Sequence, residues 1–171
     1  MSTEHIEQIT SSSVIWFDVF AGWSHVVISG RDNNKNINQI VHAAWGRNDM
    51  GQISCCGVES HNPHIKRPQI VLDPIEDGIE RTLGQIVCGS EYTLARDIAD
   101  GSLYACGWNE HGNLGSGDII NGNKGWRKVH VDIEYNSQFE SRHRLGCEEN
   151  HTRRQSLSIA AGGAHCLVSL T

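Results

Sequence analysis

Short apolar runs, each cut by a glycine, recur along this chain between polar, turn-rich stretches. Runs of this length bounded by turn signals read as half-buried or fully buried strands, which predicts an all-β protein. One pattern occurs three times: VFAGWSHVVI from Val19, IVCGSEYTLA from Ile86 and IAAGGAHCLV from Ile159. In this A motif, Gly22, Gly89 and Gly162 align, as do His25, Tyr92 and His165, and Val27, Leu94 and Leu167. A second pattern, the B motif, alternates with the first: VHAAWGRNDMGQIS from Val41 and LYACGWNEHGNLGSG from Leu103. Aligning Gly46 with Gly107 places Asn48 on Asn109, Gly51 on Gly112 and Ile53 on Leu114. The chain order is A-B-A-B-A, the mark of a repeat architecture.

Each motif has a mechanical sense. The A-motif glycine permits a sharp bend or the close approach of a neighbouring backbone, where a Cβ would clash. In the B motif, Asn and Gly tolerate positive φ and so close a tight turn after a strand. An A strand followed by a B strand then forms a hairpin, joined by DIADGS (Asp97 to Ser102) in one case and by the longer Gly30–Ile40 stretch in the other. The aligned glycines lie 67 and 73 residues apart, more than the roughly 40–50 of common propeller blades. Insertions at about 58–81, which carries Pro63, Pro68 and Pro74, and at about 118–156 account for the surplus. RKVHVDIEY within the second is a candidate further strand. Residues 1–13 read as a disordered polar N-terminus, and 14–171 as the folded module.

Charge and composition narrow the function. A net charge of −6 over 171 residues, with no stripe of Lys and Arg, argues against direct binding of nucleic acid. No window approaches 18 apolar residues in a row, so no membrane span is expected. The N-terminus lacks the basic-then-apolar layout of a secretory signal. The expected location is the cytoplasm, with the nucleus as a second compartment, and the six cysteines are expected to be reduced there.

The glycine-rich stretch from Gly107 to Gly117 invites a phosphate-cradle reading. It matches neither the dinucleotide fingerprint nor the P-loop, and no Lys-Ser or Lys-Thr follows. Its repetition at Gly46–Gly51 favours a turn. Cys88, Cys106 and Cys166 stand at strand positions where other copies carry Ala21 and Ala161, Trp45, and Val26, and read as small buried apolar residues. His143, Cys147 and His151 fall at four-residue spacing, but Gly146 lies among them and no fourth ligand is evident. His25 and His165 are possible bases, yet their place in a repeat points to hydrogen bonds with a neighbouring strand. No nucleophile motif is present. The expectation is a protein without catalytic residues, cofactor or metal.

The alternation of Gly-x-x-His with Gly-x-Asn-x-x-Gly-x-[Leu/Ile] resembles the repeat of the regulator of chromosome condensation family. CGSEY, CGWNEHGNLGSGD and the final AAGGAHCLVSL are similar to the branch of fungal alpha-tubulin suppressors and the secretion-regulating guanine-nucleotide exchange factor. The resemblance implies a partial β-propeller of about two to three blades, the C-terminal half of a seven-bladed ring. Such a ring needs about twice this length. An open propeller exposes edges and apolar faces, so the isolated chain is expected to be unstable or oligomeric.

The same resemblance implies a ring face built from the loops after the A-motif glycines. Trp23, Ser24, Ser90, Glu91, Gly163 and Ala164 become candidates to meet a partner, with core packing as the alternative for Trp23. Arg47, Asp49, Trp108, Glu110 and His111, in the B turns, are further candidates. The function implied is a protein-binding module: an alpha-tubulin suppressor-like accessory factor of diphthamide synthesis and Elongator-dependent tRNA wobble-uridine modification. Its partner would be a small zinc-binding electron carrier. The rivals are a guanine-nucleotide exchange factor acting on a small GTPase, and a metal-dependent enzyme.

Overall fold

The computed structural model describes residues 13–33, 40–54, 63–71, 75–76, 79–121, 125–131 and 157–170. Strands β1 (Val14–Ala21), β2 (His25–Asp32), β3 (Ile40–Arg47) and β4 (His64–Ile70) form an antiparallel meander. A small ribbon of β5 (Ile75–Glu76) and β6 (Ile79–Glu80) follows. The second meander contains β7 (Leu83–Cys88), β8 (Tyr92–Asp97), β9 (Leu103–Gly107) and β10 (Arg127–Lys128). Strands β11 (Leu157–Ala161) and β12 (Cys166–Leu170) make a third, two-stranded sheet. The described residues contain only strands and irregular backbone, and no helix among them is long and apolar enough to cross a membrane. The chain is a partial β-propeller of two four-stranded blades and the first hairpin of a third.

Each A motif spans the turn between the first two strands of a blade, and each B motif the end of the third strand and the turn beyond it. The A–B hairpins form as expected, with Val27 opposite Ala44 and Leu94 opposite Ala105. The region at 58–81, expected as a loop insertion, contributes β4, the outer strand of the first blade. Pro68 hid it. As an edge strand, β4 can carry a residue with no N–H to donate, and the ladder is irregular just there, between Ala44 and Gly46 of β3. Among the described residues, RKVHVDIEY supplies the two residues of β10, and most of the 118–156 insertion lies outside the described residues. So do residues 1–12; Ser13, placed by expectation in a disordered tail, donates its hydroxyl to Asp32 at 2.9 Å and extends the first hairpin.

Packing occurs between blades rather than within them. Blade one turns Phe20, Val27 and Ala44 toward Ile86, Ala95 and Tyr104 of blade two. Blade two turns Val87, Leu94 and Ala105 toward Ile159 and Val168 of blade three. These are the same repeat positions used twice, so every blade has a trailing face and a leading face of fixed composition.

The A-motif glycine is a steric requirement. A Cβ on Gly89 would fall inside the Tyr92 ring, and one on Gly22 inside the His25 ring and the Gly89 carbonyl. The B-motif glycines instead need left-handed backbone, with φ of 111° at Gly46 and 115° at Gly107. The paired asparagines act through their side chains: Asn48 Oδ1 accepts the Ile53 N–H at 2.8 Å, and Asn109 Oδ1 the Leu114 N–H at 2.9 Å. Asn109 also donates through Nδ2 to Ser116, Asp118 and Ile120, and is wholly buried. The Gly107–Gly117 stretch is thus a chain of turns held by one asparagine, as its repetition suggested.

A Cβ on Gly162 meets only the His165 carbonyl, at 3.7 Å. Gly89→Ala is therefore expected to cost about 1–3 kcal/mol by overpacking, and Gly162→Ala almost nothing, in urea unfolding. Equal effects would mean that the ring over the glycine is not what excludes a side chain.

Candidate functional site

The three A turns converge at one end of the blades. The Trp23 N–H donates to the Ser90 carbonyl (2.9 Å), and the Ser90 N–H to the Gly163 carbonyl (3.1 Å). Within each turn the glycine N–H donates to the carbonyl three residues on: Gly22 to His25, Gly89 to Tyr92 and Gly162 to His165. The result is a ladder of turns running from blade to blade. Between its rungs opens a cleft of about 660 Å³.

Trp23, Ser90, Gly163 and Ala164 line this cleft, and so does Trp108 from the second B turn. Trp23 is 81% exposed, which removes the core-packing alternative. Ser90 donates its hydroxyl to the Gly163 carbonyl at 2.6 Å. Ser24 is exposed in the first A turn but does not line the cleft. Glu91 is committed to Arg47: Nη1 of Arg47 donates to it at 2.5 Å, joining the first B turn to the second A turn. Nη2 of Arg47 donates to Asp49 at 2.6 Å. Partial burial works against the Asp49 charge, but hydrogen bonds from Arg47 and Gln52 outweigh it and hold the carboxyl below its usual range. Half-exposed ion pairs of this kind contribute only about 0–1 kcal/mol, so they set the position of the turns more than their stability. Glu110 and His111 are exposed and do not line the cleft, and His111 meets Trp108 edge to face at 4.9 Å between ring centres.

Ala21, Cys88 and Ala161 also line the cleft and were not among the candidates. Their signal was present in the sequence, as the small residue before each A-motif glycine. Burial pushes the Cys88 thiol up to about 12, so it remains a protonated, apolar contact.

Beneath the turns, the A-motif aromatics reach across to the next blade. Thr93 donates its hydroxyl to the Gln52 carbonyl (2.8 Å), so its oxygen accepts from Nε2–H of His25 (3.0 Å). Nδ1 of His25 is then unprotonated, buried and without a partner among the described residues. One blade on, the Tyr92 hydroxyl donates to the His165 carbonyl. His42, a second buried histidine between the first two blades, donates Nε2–H to the Leu83 carbonyl at 3.0 Å and accepts from Ser29 at Nδ1. The sequence-based expectation that these rings serve a neighbouring strand holds for His25 and Tyr92. His165 is exposed.

Residues 85–113 match the family model of the regulator of chromosome condensation (RCC1) repeat. The chain carries an RCC1-type repeat. Its fold is similar to that of human WBSCR16 (TM-score 0.61, 18% identity, covering 92% of this chain and 32% of that one). It is similar also to Prp20p of Saccharomyces cerevisiae, a protein characterised for binding Gsp1p and histones (TM-score 0.59, 15% identity, covering 93% of this chain and 31% of that one). The chain thus spans about a third of the length of these solved structures. No curated protein sequence matches it. At such identities the likeness establishes the propeller architecture and leaves the partner open. Cys55, Cys56, His143, Cys147 and His151 lie outside the described residues.

Burial lowers the His25 pKa from 6.5 to about 4, partly offset by the Tyr92 backbone, and lowers that of His42 as well. The unfolded chain therefore binds more protons in this window, and stability rises with pH. The contribution is complete above about 6.5 and is lost as pH falls toward 4, by an amount of order 3 kcal/mol for His25. Urea midpoints measured from pH 4 to 7 check this, and His25→Asn should flatten the slope. An unchanged slope would mean that His25 does not carry it.

Proposed function

We propose that this chain is a non-catalytic docking module that binds another protein across the cleft between its A turns. The observation that carries the reading is Trp23, a large aromatic side chain held almost fully in solvent on a turn that is itself hydrogen-bonded into the ladder. A rigidly mounted, exposed Trp beside a concave surface is the kind of anchor that dominates protein interfaces. Trp108, Ser90 and Ala164 lie around the same cleft and supply apolar contact and one hydroxyl. The side chains at hand are suited to contact rather than bond-making: the Cys88 thiol stays protonated, and His25 is buried with its Nε2–H engaged.

On the branch resemblance of CGSEY, CGWNEHGNLGSGD and AAGGAHCLVSL, the module is an alpha-tubulin suppressor-like accessory factor of wobble-uridine modification and diphthamide synthesis. Its partner is a small zinc-binding electron carrier, and it works in the cytoplasm and the nucleus. The second reading, exchange on a small GTPase, draws on the likeness to Prp20p, which binds Gsp1p.

Titration of the purified carrier into the chain is expected to give saturable binding. Trp23→Ala should weaken it by about thirtyfold, the size of a 2 kcal/mol hot spot, with the fold retained. Nucleotide release from purified small GTPases should not accelerate. Binding unaffected by Trp23→Ala would reject the face, and accelerated release would select the second reading.

A further inference from the structure

Seam one, between the first two blades, and seam two, between the second and third, use the same repeat positions but bury different groups. Among the described residues two histidines are buried, His25 at 1% exposure and His42 at 3%, and both bond across seam one. Their counterparts at seam two, by the A and B alignments, are Tyr92 and Leu103. His165, at the far side of seam two, is exposed.

Both buried rings are held neutral by what surrounds them. His25 donates Nε2–H to Thr93, and its buried Nδ1 has no partner among the described residues to receive a second N–H. His42 donates Nε2–H to the Leu83 carbonyl and accepts the Ser29 hydroxyl at Nδ1, so a second proton there displaces that donor. The charged groups at seam one are engaged with one another. Arg47 pairs with Asp49 and Glu91 at the turn end, and Arg81 stands beside Asp97 and Asp100 near the end that holds Leu83. Arg31 and His64, on strands of the first blade, are exposed. Cys88, Tyr104 and Cys106 also face the seam and carry no charge between pH 7 and 5. Each of these carboxylates already stands beside an arginine, so an imidazolium in the seam gains little to offset its lost hydration.

From this asymmetry we infer that acid opens seam one while seam two stays closed, releasing the first blade from the other two. In the open seam both rings reach water and bind a proton; in the closed seam they do not, so each proton favours opening. The cleft straddles this seam. Ala21, Gly22 and Trp23 belong to the first blade, and Cys88, Ser90 and Trp108 to the second, so the opening takes the cleft apart. The device rests on the two seams and is independent of which partner the cleft holds.

Amide hydrogen exchange on the full chain reads the seams separately, because the Trp23 N–H bonds across seam one and the Ser90 N–H across seam two. With the His25 pKa at about 4 in the closed seam and 6.5 in the open one, the Trp23 protection factor is expected to fall about twentyfold between pH 7 and 5 from His25 alone. Protonation of His42 deepens the fall. This window lies above the ordinary carboxylate range. Ser90 protection is expected to stay level. His25→Tyr, which installs the second blade's residue, and His42→Gln, whose amide can still donate to Leu83, should together remove the dependence at Trp23. Circular dichroism verifies folding, and where the double variant does not fold, each single variant is expected to shrink the fall. Trp23 protection that ignores pH, equal falls at Trp23 and Ser90, or a fall unaltered by the variants would each overturn the inference.

Discussion

Backbone hydrogen bonds between successive A turns set the geometry on which the rest of this molecule depends. Trp23 to Ser90 and Ser90 to Gly163 tie three sheets at one end, while the apolar faces between them can only pack once that spacing is set. Hydrophobic burial is non-directional. Left to itself, it would allow the blades to slide or splay. The ladder supplies the direction, and the buried His25–Thr93 and part-buried Tyr92–His165 contacts repeat it one layer below.

The same constraint explains why the variable positions lie where a partner can reach them. The motif requires a glycine under an aromatic ring, that ring, and the small residue before the glycine. The two residues between glycine and aromatic make the ladder through the backbone, so the ladder itself does not dictate their side chains. Trp23 and Ser24 in one turn, Ser90 and Glu91 in the next, and Gly163 and Ala164 in the last therefore differ in chemistry while sharing a backbone path. Glu91 has been drawn into a pair with Arg47, whereas the Trp23 side chain stands in solvent. A rigid turn bearing an uncommitted aromatic loses little freedom on binding, which is where affinity is most readily gained.

Much of this arrangement was legible in the residues. Aligning Gly22, Gly89 and Gly162 located the turns, the run of strands followed from the apolar spacing, A-B-A-B-A marked a repeat architecture, and the propeller was implied by the resemblance of the motifs to a known family. Three things were not legible. Pro68 and the polar character of its neighbours concealed β4, because an edge strand needs neither a full set of donors nor two apolar faces. The asparagines at 48 and 109 looked like positive-φ residues, but their effect comes through side-chain carbonyls that only a folded turn brings to Ile53 and Leu114. The pairing of Glu91 with Arg47 joins residues 44 apart, a distance no local pattern spans.

The amino-acid order by itself determined the local shapes: where the backbone must turn, which residues lack a Cβ, and which faces of each strand are apolar. These follow from sterics and periodicity, which act over a few residues. Only the tertiary structure decided which apolar face meets which, that Ala21, Cys88 and Ala161 line one cleft, and that Val27 and Leu94 are covered while Leu167 is bare. Identical motifs met different fates because burial depends on what stands opposite. The neighbour opposite is fixed by the stacking of whole blades, not by the residues of any one of them.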